Sequence, residues 1–208
     1  MIHKLAFADY QRMPWRNGLG FTNLIAMEPP GATLATGDFD WQVELSEIDH
    51  DVAFSKFPDH DRVLAVAHGS GLILRILGSS DQRVTAESGP LEFSGELETS
   101  CMLLEGPVVA FNMIVMHGSV AARLKRWRGD SGNIRLDAPI LIVHCLHGSC
   151  RVTTGVETHL VSASESLRYQ CSDMASVPME LMPMELMPIG ADCEVLVSEI
   201  RLVSPATP

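Results

Sequence analysis

The side chains best placed to do chemistry on a small molecule lie in the first half of the chain. Arg62 follows the Phe57-Pro58 turn and opens an apolar run at Val63. A guanidinium anchored there could reach into a barrel mouth and hold a carboxylate through two parallel hydrogen bonds, which a lysine cannot imitate. The competing assignments are an ion pair with Asp59 or Asp61 and a solvated surface arginine. Gln42, Glu44 and Ser46 fall at every second position of an alternating run, so they share one face of a strand. That face meets either solvent or a polar cavity, and in a cavity Glu44 is a candidate for proton transfer. Residues 15–22 read as a glycine-punctuated turn in which Gly18 and Gly20 let the backbone approach a ligand, while Asn17 and Thr22 offer hydrogen-bonding groups of both polarities. A tight turn with Trp15 packed in the core is the structural alternative.

Other machinery is absent from the sequence. There is no G-x-S-x-G elbow, no P-loop, no G-x-G-x-x-G after a strand and no H-E-x-x-H. A metal-binding double-stranded β-helix places two histidines one residue apart on a strand, whereas His144 and His147 are three apart and point to opposite faces. A metal set would have to be assembled from distant residues such as His50, His60 and His117, so neither metal nor cofactor is expected. Asp59, His60 and Asp61 read as a solvated loop tip. The five cysteines contain no C-x-x-C pair, which disfavours both a disulfide framework and a structural zinc and suits small buried thiols in a reducing compartment.

Across 208 residues, 15 Lys plus Arg face 26 Asp plus Glu, a formal charge of −11. Nucleic-acid binding needs clustered cations, and the only basic cluster, Arg123, Lys125, Arg126 and Arg128, reads as a solvated face. A membrane surface is disfavoured for the same reason. The most apolar stretch, residues 101–116, is interrupted by Glu105, Gly106, Pro107 and Asn112 and falls short of the roughly 18 apolar residues of a spanning helix. The N-terminus lacks a signal-peptide core, which makes the cytoplasm the expected compartment.

Strands must position these groups. Residues 39–46 alternate strictly, and residues 63–67, the turn His68-Gly69-Ser70-Gly71 and residues 72–76 read as a hairpin. The pattern returns at residues 140–143, His147-Gly148-Ser149 and residues 151–154, which suggests two similar halves. Further short strands are expected over residues 91–93, 101–104, 108–115, 166–169 and 194–203. Only residues 120–127 resemble a helical turn or two, and residues 128–137 read as a linker. The repeated Pro-Met-Glu-Leu-Met units of residues 178–187 read as a duplicated extended loop, removable with little effect on stability. This is the pattern of an all-β sandwich or barrel.

Three segments carry a resemblance. Pro14-Trp15-Arg16-Asn17-Gly18-Leu19-Gly20-Phe21-Thr22, then residues 40–48, then Phe54-Ser55-Lys56-Phe57-Pro58-Asp59-His60-Asp61-Arg62 resemble, in order and separation, the HutD/Ves family of bacterial proteins. Glu92-Phe93-Ser94-Gly95-Glu96 and Phe111-Asn112-Met113 are similar to its downstream signatures. The resemblance covers residues 1–200 and is strongest over the first 115. It implies a bicupin, two cupin-like β-barrels in one chain: an N-terminal half over residues 1–128 and a C-terminal half over residues 129–208, with terminal strands free to exchange. It also implies a metal-independent protein that binds a small carboxylate metabolite and governs amino-acid (histidine) catabolism or a stress response, with a homodimer as a candidate assembly. The alternatives are a cupin-type isomerase or hydrolase using Glu44 or His60, and a scaffold protein docking through the Met-Pro repeat. Trp15, Asn17, Thr22, Gln42, Glu44, Ser55, Arg62 and Asn112 form the expected binding set. The chain departs from the family pattern at Leu19, Gln42, Asp59 and Phe111, and with Gln rather than Arg at position 42, Arg62 is the main remaining cation of the matched segments.

Overall fold

Short β-branched and apolar runs, cut by Gly, Pro and Ser, become strands in a computed structural model that describes residues 1–129, 132–155, 157–171 and 184–203. Among the described residues the single helical element is a 3-10 turn at Phe7–Asp9, and no helix is long and apolar enough to cross a membrane. The chain divides into two compact units: Tyr10–Ala121 with Leu202 and Val203, and Met1–Asp9 with Ala122–Arg201. Strand β12 (Val120–Arg128) carries the chain from one to the other, the change falling between Ala121 and Ala122.

The unit built on residues 10–121 has two sheets. One runs β2 (Gln11–Pro14), β3 (Phe21–Glu28), β4 (Trp41–Ile48), β11 (Val108–Met116), β6 (His60–His68), β9 (Leu91–Ser94). The other runs β5 (Val52–Ala53), β10 (Thr99–Leu103), β7 (Leu72–Ile76), β8 (Gln82–Val84). Ile48, Leu64 and Val66 of the first pack with Leu72, Leu74 and Cys101 of the second in one apolar cluster. Neither hydrogen-bonded path closes on itself, so the unit is an open sandwich and not the closed barrel that the resemblance implied.

The first His-Gly-Ser segment is not a hairpin turn. β6 and β7 lie in different sheets, and residues 69–71 form the corner between them. Gly71 has φ +112°, and a Cβ there would come 2.5 Å from the Val84 carbonyl oxygen, so only glycine lets the chain pass so close to the neighbouring backbone.

In the other unit a seven-stranded sheet runs β1 (Ile2–Leu5), β16 (Ser166–Gln170), β14 (Ile140–Thr154), β17 (Met184–Leu202), β12, with β13 (Ile134–Leu136) on β17 and β15 (Glu157–Ser162) on β14. Here the second His-Gly-Ser segment lies inside the continuous strand β14, where irregular register against β17 on both sides of His147 bends the strand. The residues read as a linker contain β13, because Ile134 and Leu136 are buried in this unit's core.

Residues 120–127 form a strand, not helical turns. Lys125 pairs with Glu199 at 2.9 Å, Arg128 with Glu194 at 3.2 Å, and Arg126 also meets Glu194. Three of the four cations of the basic cluster are therefore matched to acids of the adjacent β17, while Arg123 is exposed. Residues 184–187 of the second Met-Pro unit are likewise no loop. β17 begins at Met184, and Met184 and Leu186 are buried against Ile134, Leu136 and Val152. Pro188, opposite Cys150, falls just past the three residues that β13 pairs. The rest of the repeat, residues 178–183, lies outside the described residues.

Leu186→Ala should cost about 2–5 kcal/mol of unfolding free energy in urea melts, the range for emptying a packed leucine site; a change within error would restore the loop reading. Gly71→Ala should destabilise by more than about 1 kcal/mol, since the new Cβ meets backbone at a positive φ.

Candidate functional site

Strand register assembles the polar residues. Across the six-stranded sheet Thr22 faces Ser46, Leu24 faces Glu44, and Met27 faces Gln42. Glu44 then faces Asn112, and Gln42 faces Ile114. Continuing outward, Asn112 faces Leu64, Ile114 faces Arg62, and Arg62 faces Phe93. Opposed residues of an antiparallel pair lie on the same side, so Thr22, Gln42, Glu44, Ser46, Arg62 and Asn112 share one face. All six are buried. The alternate residues Trp41, Val43 and Leu45 are buried as well, so the alternation of β4 separates an apolar interior face from a polar interior one, and not core from solvent. Glu44, Ser46, Arg62 and Asn112, with Trp15, Arg16, Leu34, Ile48, Phe54, Ser55 and Phe57, line a pocket that opens to solvent and spans about 360 Å³ with the space at its mouth included.

Arg62 is only 6% exposed. Its guanidinium carbon lies 4.9 Å from the ring centre of Phe54, 5.3 Å from Phe93 and 5.8 Å from Phe57, an aromatic enclosure that stabilises the cation. Its hydrogen bonds are long: one guanidinium nitrogen donates to the Ser55 carbonyl and the other to Asn112 Oδ1, each at 3.4 Å, and Nε has no partner. Neither Asp59 nor Asp61 pairs with it; Asp61 instead meets His117 at 2.7 Å. Burial pulls the guanidinium pKa down to about 10, opposed by the charge of Glu44.

The turn before Arg62 is clamped from β9 and the residues that follow it. Phe57 N–H donates to the Gly95 carbonyl and Gly95 N–H to the His60 carbonyl, both at 2.8 Å. Glu96 Oε1 accepts from the Asp59 N–H at 3.1 Å. The Glu92-Phe93-Ser94-Gly95-Glu96 motif thus supplies both the ring over Arg62 and the fastening of its turn.

Glu44 is 4% exposed. Its Oε1 accepts from Ser46 Oγ at 3.0 Å and its Oε2 from Gln42 Nε2 at 3.1 Å. Thr22 donates its hydroxyl to the Leu45 carbonyl at 3.0 Å and lies 3.3 Å from Ser46 Oγ. Gln42 Oε1 is buried without a hydrogen-bond partner. Burial raises the Glu44 pKa, against the attraction of Arg62 and the hydrogen bond from Ser46. No ion pair within 4 Å joins Glu44 to Arg62.

Of the eight residues expected to bind ligand, Trp15, Glu44, Ser55, Arg62 and Asn112 line the pocket; Asn17, Thr22 and Gln42 do not. Asn17 fastens its turn, donating from Nδ2 to the Ala53 carbonyl at 2.8 Å and from its backbone N–H to Ser55 Oγ at 3.3 Å. Gln42 and Thr22 stand behind Glu44. Trp15 both lines the pocket and packs edge-on to Phe54, with centroids 6.5 Å apart. A Cβ on Gly20 would lie 2.9 Å from the Trp15 ring, so that glycine makes room for the indole and not for a ligand. Ser46 was legible from its parity with Glu44, Ile48 ends the matched segment 40–48, and nothing in the sequence marked Leu34.

The histidines stand apart. His60 is buried, not at a solvated tip: Nδ1 lies 2.7 Å from the Pro58 carbonyl and Nε2 2.9 Å from the Phe39 carbonyl. His50 lies beside Asp49 and His117 beside Asp61, both exposed. Among the described residues no three His, Cys, Asp or Glu side chains are grouped to hold a metal.

The all-β fold has cupin-like structural neighbours. A cupin conserved-barrel protein from Leptotrichia buccalis shares the fold at a TM-score of 0.53 and 11% identity, over 86% of this chain and 88% of that one. The HutD family matches residues 7–181, and the chain belongs to it. It is 30% identical, over 83% of its length and 88% of the relative's, to an uncharacterized 21.2 kDa protein from the hutC 3′ region of Pseudomonas putida. A conserved protein of unknown function from Pseudomonas aeruginosa superposes with a TM-score of 0.82 at 25% identity, over 96% of this chain and 98% of that one. HutD from Pseudomonas fluorescens does so with a TM-score of 0.73 at 24% identity, over 97% and 100%.

Because the Glu44 pKa is raised from its ordinary 4.5, the folded chain holds this proton more tightly than the unfolded chain. Glu44 therefore stabilises most below its unfolded pKa, and that contribution fades as pH rises through the folded one. Melting curves of the native chain and Glu44→Gln over a pH series should show the Gln variant gaining relative stability as pH rises. A difference independent of pH would mean that Glu44 ionises as freely as in water.

Proposed function

We propose that this HutD-family chain is a metal-independent binding protein for a small carboxylate metabolite and that the carboxylate sits on Arg62. One observation carries the reading: a buried guanidinium faces a pocket with two 3.4 Å hydrogen bonds, an unused Nε and no carboxylate in contact. An uncompensated buried ion costs several kcal/mol, and the three ring faces that offset part of it give Nε no hydrogen-bond acceptor. An anionic ligand supplies the rest of the compensation, and a bidentate carboxylate would use the idle donors.

The family and the P. putida relative's location beside hutC support a role in histidine utilisation, with the chain governing catabolic flux as a cytoplasmic sensor. We also infer that the two units are two cupin-type halves, since a His-Gly-Ser segment bends the chain in each. A second reading has its own support. A buried carboxyl of raised pKa opposite a cation is a proton-transfer arrangement, and it would make the chain a cupin-type isomerase or hydrolase.

Calorimetric titration with formate, acetate, urocanate and N-formylglutamate tests the binding reading. Arg62→Lys should keep the fold and lose about 1.5–3 kcal/mol of affinity for whichever carboxylates bind, the scale of a charge-assisted hydrogen bond, and Arg62→Ala should lose more. Unchanged affinity in both variants would remove Arg62 from the site.

A further inference from the structure

His60 is buried but is no part of the pocket lining. Both of its ring nitrogens meet backbone carbonyls, Nδ1 at 2.7 Å from the Pro58 oxygen and Nε2 at 2.9 Å from the Phe39 oxygen. A carbonyl oxygen only accepts, while a neutral imidazole carries one N–H and one lone pair. In the neutral form one nitrogen would turn its lone pair toward an oxygen lone pair at hydrogen-bond distance. The imidazolium, with an N–H on each nitrogen, satisfies both carbonyls. Neither carbonyl has another hydrogen bond among the described residues, so each depends on this ring.

The surroundings weigh for the charge. The Phe39 and Phe57 ring centres lie 4.6 Å and 6.3 Å from the imidazole, and aromatic faces attract cations. Asp40 follows Phe39, Asp59 and Asp61 flank His60, and Glu96 accepts from the Asp59 N–H; these four carboxylates favour it. Arg62, two residues on along β6, and His117, paired with Asp61, oppose it. Met116, opposite on β11, brings no charge, and neither do Met13, Met27, Leu34 and Ile114, which pack with Phe39 and Phe57. Among the described residues no carboxylate comes within 4 Å of the ring, so the proton is held by two carbonyls and not by an ion pair.

We propose that His60 is a structural imidazolium at neutral pH, a proton-operated clasp between the chain ahead of β4 and the corner ahead of Arg62. The clasp does not depend on what the pocket binds. Its opening has a direction. The Phe39 contact is buried, whereas the Pro58 contact is part-buried and Pro58 itself exposed. When the proton leaves, the ring keeps Nε2–H on the buried Phe39 carbonyl and gives up the Pro58 carbonyl, which water can reach. Raising the pH therefore slackens the Phe57–His60 corner while the β4 end stays fastened. An unfolded histidine is half protonated near about pH 6.5 and has no such pair of acceptors. The clasp thus stabilises fully in acid, and its contribution is lost as pH rises.

Long-range proton–nitrogen NMR spectra of the uniformly 15N-labelled chain test this directly. At neutral pH His60 should show both ring nitrogens protonated, and in alkali it should become the neutral Nε2–H tautomer. Melting curves of the native chain and His60→Gln give an independent readout. The native chain's lead over the variant should shrink by about 2–4 °C between about pH 6 and about pH 9. Glu44 and the other titrating groups are common to both chains and cancel in that difference. A neutral buried histidine would give the opposite slope, because acid would then have to charge it at the expense of the fold. A single protonated ring nitrogen at neutral pH, an Nδ1–H tautomer in alkali, or a lead that grows or stays constant as pH rises overturns the clasp. Should His60→Gln fail to fold, the ring nitrogens of the native chain decide alone.

Discussion

A guanidinium removed from water must recover its solvation from what surrounds it, and much of the sandwich around Arg62 is arranged to do so. Phe54 and Phe57 approach from the segment between β5 and β6, while Phe93 comes from β9. The Phe57–His60 corner keeps its shape through backbone bonds to Gly95, and Asp59, at φ +61°, is tied to Glu96. Asn17 ties the Trp15 turn to Ala53 and Ser55, whose carbonyl faces the guanidinium. Residues far apart in the chain thus converge on one charge, which they shield from water without neutralising it.

The sheet that carries this charge has to be buried on both sides. A strand of an open sheet ordinarily presents one face to the core and one to water. β4 instead places Trp41, Val43 and Leu45 on one buried face and Gln42, Glu44 and Ser46 on the other. Polar side chains survive there because Glu44 accepts from both Gln42 and Ser46, while Thr22 beside them donates to the Leu45 carbonyl. The two atoms that escape pairing, Gln42 Oε1 and Arg62 Nε, lie in register on either side of Ile114. Incomplete satisfaction on one sheet face is the mark of a site that a smooth apolar core would lack.

Much of the strand pattern was legible in the sequence. The alternation of residues 39–46 fixed β4 and the parity of Gln42, Glu44 and Ser46, because period-two spacing is a local property. What lay opposite that face was not legible, since Phe54, Phe57 and Phe93 reach it through tertiary folding. The resemblance marked Asn17 and Thr22 together with Arg62, and motif membership cannot separate a residue that meets ligand from one that fastens the turn or strand beneath it. The two His-Gly-Ser segments share local chemistry, yet one turns a corner between sheets and the other bends a single strand, a choice made by their flanking partners. Residues 120–127 and 184–187 went astray for a related reason. Charges and prolines suggested surface or loop, and cross-strand acids and a waiting apolar core made them strands instead.

Strand β1 pairs with β16, matching Ile2 to Tyr169 and Leu5 to Ser166, although residue 10 already belongs to the other unit. During synthesis this edge strand emerges before its own unit and must wait, unpaired, until its partner has left the ribosome. Tyr10–Ala121 has most of its partners within its own span and is free to fold first. Trimming the first nine residues would accordingly damage the sheet that is completed last, by stripping an edge from β16, and would spare the ladder that follows them directly in sequence.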